Sequence, residues 1–346
     1  MGWNDFKKSA AVRLLDWSGV ALLLRPFCGG RGAILALHRV VPEGVPVFEP
    51  GNAVRVEHLR QVLQYVQRHG WDFVSLNEIP ARLQSSRPSK RRFLAITLDD
   101  GYLDNLLYGL PLFEQFRAPF TVFPAVGFIN RTVPYWPVVA DALLAKADRI
   151  AIEEPDRGTV EYRCATPEEK LAVFERIALP WTDPAVARRL TAVCSAARRS
   201  IVQILDEAFL SWDQLQSLSR HPLATVGVHT LTHAALARLP EDEAAHEMSA
   251  AKAELESRIG RKVAHIAYPY GSPGECGDRE FRLAREIGFA TGCTTTRGNL
   301  LPRHRDRLWS LPRHTLSMVR HGANTAYLRL SLAGVWNTPL PRILGR

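Results

Sequence analysis

The sequence predicts an α/β fold built on a parallel sheet, and three observations carry that prediction. Short apolar runs rich in β-branched residues (33–38, 93–98, 120–123, 225–228 and 265–267) read as buried strands. Stretches with apolar residues at helical spacing (56–69, 104–116, 211–219, 241–258 and 278–287) alternate with them, the rhythm of a parallel β/α architecture. The residues with the most chemistry fall at the C-terminal ends of the runs, where such folds place their sites.

Taken in order, residues 1–30 form an imperfect amphipathic arm, with Val12, Leu15 and the 20–24 run set among Lys7, Lys8, Arg13 and Arg25. The arm lacks a small-residue cleavage site, and charges interrupt its apolar run, so it fits poorly as a signal peptide or spanning helix. It reads either as packing on the core or as lying on a membrane surface. The 33–38 run ends on His38. A helix over 56–69 carries Leu59, Val62, Leu63 and Val66 on one face and stops at Gly70. A strand over 71–76 follows, with Asn77 as the expected cap of the next helix. The strand beginning at Phe93 ends in Asp99-Asp100-Gly101. Neighbouring strand residues face opposite ways, so a carboxylate pair suits the point where the chain turns and both can enter one cleft. Two carboxylates that close repel each other unless a cation or proton is shared.

Residues 127–210 break the rhythm. The stretch 133–137 (Val-Pro-Tyr-Trp-Pro), followed by helical patterns over 138–146, 167–177 and 183–205, predicts an inserted helical subdomain. It serves as flank packing, or as a lid in which Tyr135 and Trp136 stack on sugar rings. Then come a Ser211-capped helix, a strand ending in His229-x-x-x-His233, a long helix from Glu241, a short strand leading to Tyr268-Pro269-Tyr270-Gly271, a strand over 289–295, and a last strand over 308–315. The expected organisation is an arm (1–30), a discontinuous core (31–126 and 211–320), the insertion (127–210) and a tail (321–346).

The chain has 346 residues, 46% hydrophobic and 23% charged, as in a soluble globular protein, with a formal charge of +9. That charge serves solubility or a basic face toward anionic membrane or glycan. No basic run with interleaved aromatics supports nucleic-acid binding. Five scattered cysteines without a C-x-x-C fit a reducing compartment better than a disulfide framework.

Acidic pair, histidine pair and Pro-Tyr-Gly, in that order, resemble the polysaccharide deacetylase family (NodB-homology, carbohydrate esterase family 4). The resemblance implies a distorted (β/α)7 barrel and a divalent-metal hydrolase. It implies Asp100, His229 and His233 as metal ligands, a two-His, one-carboxylate set suited to zinc and also to cobalt, iron or manganese. Asp99 would be the general base, and the backbone N–H after Pro269, that of Tyr270, an oxyanion donor. The chain departs from the family where Ala267 replaces the usual arginine before Pro-Tyr-Gly. Arg313 is the expected substitute for orienting Asp99. The general acid is expected at His314, with His38 as second candidate. An Asp-x-x-Asp-Trp element is not evident.

The leading expectation is removal of N-acetyl groups from amino sugars of a polysaccharide or its lipid-linked precursor, as in exopolysaccharide biosynthesis. The alternatives are hydrolysis of another small amide or an O-acetyl ester, and an inactive glycan-binding or scaffold barrel. The expected partner is an N-acetylated carbohydrate and not nucleic acid. The expected location is the cytoplasm, with peripheral contact at the inner membrane face.

Overall fold

The computed structural model describes residues 17–85, 91–154, 157–178, 184–318 and 326–335. Most of the arm (1–16) and much of the tail (321–325 and 336–346) lie outside them. At the centre is a parallel sheet ordered His314–Thr315, Gly32–Leu37, Phe93–Asp100, Phe120–Pro124, Ala224–Val226, with Asp72–Phe73 paired beside the Phe93 strand. His265–Ala267 and Thr291–Cys293 form a separate parallel pair. Single parallel bridges, Val228 to Ile266 and Cys293 to Leu311, connect that pair to both ends of the central sheet. The continuous ladders therefore make an α/β parallel sheet and do not by themselves close a barrel.

The Phe93 strand shows how the pleat sorts its residues. Phe93 and Ala95 pack with Ile34, Phe123, Ala267, Cys293 and Leu311 in one cluster. Leu94, Ile96 and Leu98 belong to the larger core under the flanking helices. The strand is buried throughout, which is why it reads as an uninterrupted apolar run. Burying such surface stabilises by roughly 25 cal/mol per Å2.

Several boundaries differ from expectation for identifiable reasons. The 104–116 segment is a π-helical turn over Asn105–Gly109 followed by an α-helix over Leu110–Phe116. Pro111 has no N–H to continue the regular ladder. Ser75 and Glu78, not Asn77, form the capping box there; the Asn77 side chain instead reaches His265 Nε2 at 2.8 Å. The last strand is short, His314–Thr315, because Leu308–Ser310 is a 3-10 turn. The helix Val56–Arg68 and the long helix Glu241–Ile259 end as their glycines predict, with Gly70 and Gly260 left-handed.

The insertion has its own apolar cluster, which includes Tyr135, Leu144, Phe174, Leu190 and Phe209 and joins the sheet through Tyr102, Ala125 and Phe128. It is not all helix. An antiparallel hairpin pairs Arg149–Glu154 with Gly158–Arg163, its first strand alternating between exposed and buried positions. In the tail, Ala326–Ala333 is a helix that packs on Val20–Cys28. No helix among the described residues is long and apolar enough to cross a membrane.

Candidate metal and catalytic site

At the end of the Phe93 strand the pleat alone would send Asp99 and Asp100 to opposite faces. Instead Asp100 takes φ 70° and Gly101 φ 81°, so the backbone turns and both carboxylates enter one cleft. A Cβ on Gly101 would lie 2.8 Å from the Pro124 Cβ, so the turn needs glycine for space as well as conformation. Left-handed conformations recur at Thr230 (φ 64°), His233 (φ 61°) and Tyr270 (φ 61°). Such strain on non-glycine residues collects at functional sites when the surroundings hold it in place.

Asp100, His229 and His233 converge: their ligand atoms lie within 4.8 Å of one another. His229 Nε2 is 3.4 Å and His233 Nε2 3.3 Å from Asp100 Oδ1. The His229 Nδ1 lies 2.7 Å from the Ala267 carbonyl, which can only accept, so Nδ1 carries a proton and Nε2 is the nitrogen turned toward Asp100. His233 Nδ1 is 3.2 Å from the Tyr270 hydroxyl. Asp100 Oδ1 is buried and has no hydrogen-bond partner. Two imidazole nitrogens facing a buried carboxylate oxygen are the donor set of a cation site, and the three residues fit a divalent metal. The electrostatics agree. Burial pushes the Asp100 carboxyl up, but the two imidazoles overcome it and hold it well below the usual range. Burial lowers His229, and Asp100 and Asp99 more than offset this, whereas His233 is lowered by burial and by its neighbouring histidines.

Asp99 stays outside this trio. The Arg313 guanidinium forks onto it, Nη1 to Oδ1 and Nη2 to Oδ2, both at 2.8 Å. Arg313 is 0% exposed, and it also donates to Thr97 Oγ1 at 3.1 Å and the Thr294 carbonyl at 3.0 Å. Burial pushes Asp99 up, yet the guanidinium outweighs it and keeps Asp99 ionised. Thr97 and Asp99 share a face of their strand. His314 pairs in register with Leu35, a residue of the core under the flanking helices, and so turns the other way. Its Nε2 donates to Asn299 Oδ1 at 2.7 Å, and the Asn299 amide donates to the Gly29 and Leu332 carbonyls. Burial and the charges of Arg297 and Arg92 push His314 down to about 3. The structure does not bring His314 to the cleft and leaves it no proton to give near neutral pH. His38 is brought there: it is among the neighbours that lower both Asp99 and Asp100, and its Nδ1 is buried without a hydrogen-bond partner. Asn105 Nδ2 donates to the His38 carbonyl at 2.7 Å and fixes the strand end.

Pro269 and Tyr270 form the third wall. The Pro269 carbonyl accepts from the Gly271 N–H at 2.7 Å, and Thr295 Oγ1 donates to the Tyr270 carbonyl at 2.6 Å, locking the turn. Phe128 stacks beside His233, ring centroids 5.4 Å apart, with Tyr135 edge-on at 6.2 Å. Trp136, the other expected sugar platform, opens the helix Trp136–Lys146 and packs against the insertion's cluster.

Sequence reasoning missed several neighbours. Glu49 accepts from the Tyr135 hydroxyl at 3.3 Å and from Asn52 at 2.7 Å. Burial, and then the charge of Asp100, raise its carboxyl to about 8. Arg39 bridges Asp104 (3.1 Å) and Asp141 (2.9 Å), tying the strand end to the insertion. Nothing local marks Glu49, whereas Asp104, on the same stretch as the acidic pair, could have been singled out.

The comparisons agree with this geometry. The family model for polysaccharide deacetylase matches residues 86–292, more than half of the chain. A search of curated proteins returned no match. Among solved structures, the chain is similar to the deacetylase PplD of Streptococcus pyogenes, solved with acetate, at 16% identity and TM-score 0.55, covering 88% of this chain and 97% of that one. It is similar to IcaB of Ammonifex degensii at 17% identity and TM-score 0.55, with the same coverage. The deacetylase domain of BpsB from Bordetella bronchiseptica follows at 16% identity and TM-score 0.52, covering 83% of this chain and 96% of that one. At these identities the likeness establishes the fold, and the family match over residues 86–292 adds membership: the chain belongs to the polysaccharide deacetylase family.

Proposed function

We propose that this protein is a metal-dependent hydrolase that removes N-acetyl groups from amino sugars of a polysaccharide or its lipid-linked precursor. The observation that carries the reading is the pairing of a three-ligand pocket (Asp100, His229, His233) with an adjacent carboxylate, Asp99, held ionised by Arg313. A divalent cation held by the three ligands supplies Lewis acidity, making water deprotonation feasible near neutral pH. Asp99 takes the proton from the attacking water, and Arg313 keeps both carboxylate oxygens oriented for it. The Tyr270 backbone N–H stabilises the oxyanion on the acetyl carbonyl. His38 replaces His314 as the group that protonates the leaving amine. Zinc suits the donor set, as do cobalt, iron and manganese.

The test is acetate release from N-acetylated chitooligosaccharides by protein treated with chelator and then reloaded with single metals, alongside Asp99→Asn. Release that depends on metal and falls with Asp99→Asn is expected. Metal-independent release, or none with any N-acetylated glycan, sinks the reading. Release from O-acetyl esters alone would replace the amide substrate with an ester.

We also propose that the segment 17–28, which holds the helix Val20–Cys28, rests on an anionic membrane surface. Trp17, Leu23 and Phe27 are 87%, 73% and 84% exposed beside a chain of formal charge +9. Cys164, Cys194, Cys276 and Cys293 are buried and unbridged, which supports a reducing, cytoplasmic location. Co-sedimentation with phosphatidylglycerol but not phosphatidylcholine vesicles is expected, and should disappear when all three residues are changed to serine.

A further inference from the structure

We propose that Glu247, on the helix Glu241–Ile259, is a positioning residue for the metal ligands, holding the backbone between His229 and His233 in the one shape that aims both rings at Asp100. Resting as it does on the metal-site reading above, the role falls to a residue on a separate helix, more than a hundred positions from either aspartate in sequence, whose carboxylate bonds to the loop between the two histidines. The Glu247 carboxylate accepts three hydrogen bonds from the loop: Leu231 N–H at 3.0 Å and Thr232 N–H at 2.9 Å on Oε2, and the Thr232 hydroxyl at 2.7 Å on Oε1. Two consecutive N–H groups pointing at one oxygen form an anion-binding concavity, and here the anion comes from the chain itself. That concavity exists because Thr230 is left-handed, at φ 64°. The Thr230 hydroxyl closes the loop by accepting from the His233 N–H at 3.0 Å. On the opposite side the Thr230 and Leu231 carbonyls accept from the Val126 and Gly127 N–H groups at 3.2 and 2.6 Å. The loop is thus gripped from both sides, and the grip on its donors comes from Glu247.

Glu247 is buried, and a buried carboxylate is costly unless hydrogen bonds such as these satisfy it. It also edges a pocket of about 420 Å3 that Thr232, Leu239 and His246 help to line. Truncating Glu247 therefore enlarges an existing hollow rather than emptying a sealed part of the core, which separates its effect on the loop from one on packing. Groups behind the ligands of a metal site usually change affinity by about 10- to 100-fold when removed.

Cobalt(II) titration of the full chain, followed by visible absorption and competition with a chelator, tests the proposal, with the thermal midpoint of the metal-free protein recorded for every variant. Glu247→Ala should weaken cobalt binding by about tenfold or more and alter the absorption spectrum. Glu247→Gln, which keeps one acceptor oxygen, should fall between it and the parent. An unchanged affinity and spectrum in Glu247→Ala overturns the proposal, as does a lower metal-free midpoint with unchanged affinity. Should the alanine variant not fold, Glu247→Gln and Thr232→Ala decide: weakened binding in them supports the proposal, and parental affinity in both overturns it. Failure of the parent protein itself to bind cobalt would strike the metal-site reading instead.

Discussion

Replacing Arg313 by methionine removes the charge on which Asp99 depends while keeping most of the side-chain volume. Two charge-assisted hydrogen bonds at 2.8 Å are lost, each contributing about 1.5–3 kcal/mol. Breaking a buried ion pair by removing one partner costs about 3–5 kcal/mol, because the other charge stays buried and unpaired. The two figures agree, and about 3–5 kcal/mol is a large fraction of the 5–15 kcal/mol typical of a folded protein. Guanidinium unfolding of the metal-free protein measures it as a fall in midpoint at constant slope. The same loss appears in the chemistry. Without the guanidinium, burial drives the Asp99 carboxyl upward, and 3 kcal/mol corresponds to about two pKa units. The acidic limb of kcat/KM should move to higher pH by about that much. The double variant with Asp99→Asn should lose less stability than the sum of the singles. A loss below about 1 kcal/mol with an unmoved acidic limb refutes the claim that Arg313 holds Asp99 ionised.

Asp99→Asn should lower kcat by about 10²–10⁴-fold with metal content unchanged, checked by acetate release and elemental analysis. His38→Gln should lower turnover while His314→Gln leaves it near the parental level, because only the first ring faces the cleft. His314→Gln should still change acid stability. With His314 pushed down to about 3, the unfolded chain takes up a proton below about 6.5 that the folded chain refuses, so stability falls as pH drops from 6.5 toward 3. The variant's thermal midpoint should fall less over that window. Glu49 has the opposite sign: raised to about 8, it is protonated more readily when folded, and its contribution is lost as pH rises from about 4.5 through 8. Glu49→Gln should therefore gain thermal midpoint relative to the parent as pH rises from 5 to 9, measured in chelator; a constant difference would contradict the burial of that carboxyl.

What the amino-acid order determined by itself was whatever depends on neighbours a few residues apart. Asp99-Asp100-Gly101, His229-x-x-x-His233 and Pro269-Tyr270-Gly271 each carry ligand or turn chemistry within five residues, and apolar runs ending on them place them at strand ends. Helix stops at Gly70 and Gly260 are legible for the same reason. Tertiary structure decided which of Arg313 and His314 faces the cleft. Adjacent strand residues point oppositely, and only the pairing with Gly32–Leu37 sets which parity is inward. It likewise decided that His38 stands at the carboxylates, that Glu49 is half-buried near Asp100, and that Glu247 grips the histidine loop. These groups meet through the packing of separate elements, and no local pattern encodes a contact that forms only when distant segments are folded together.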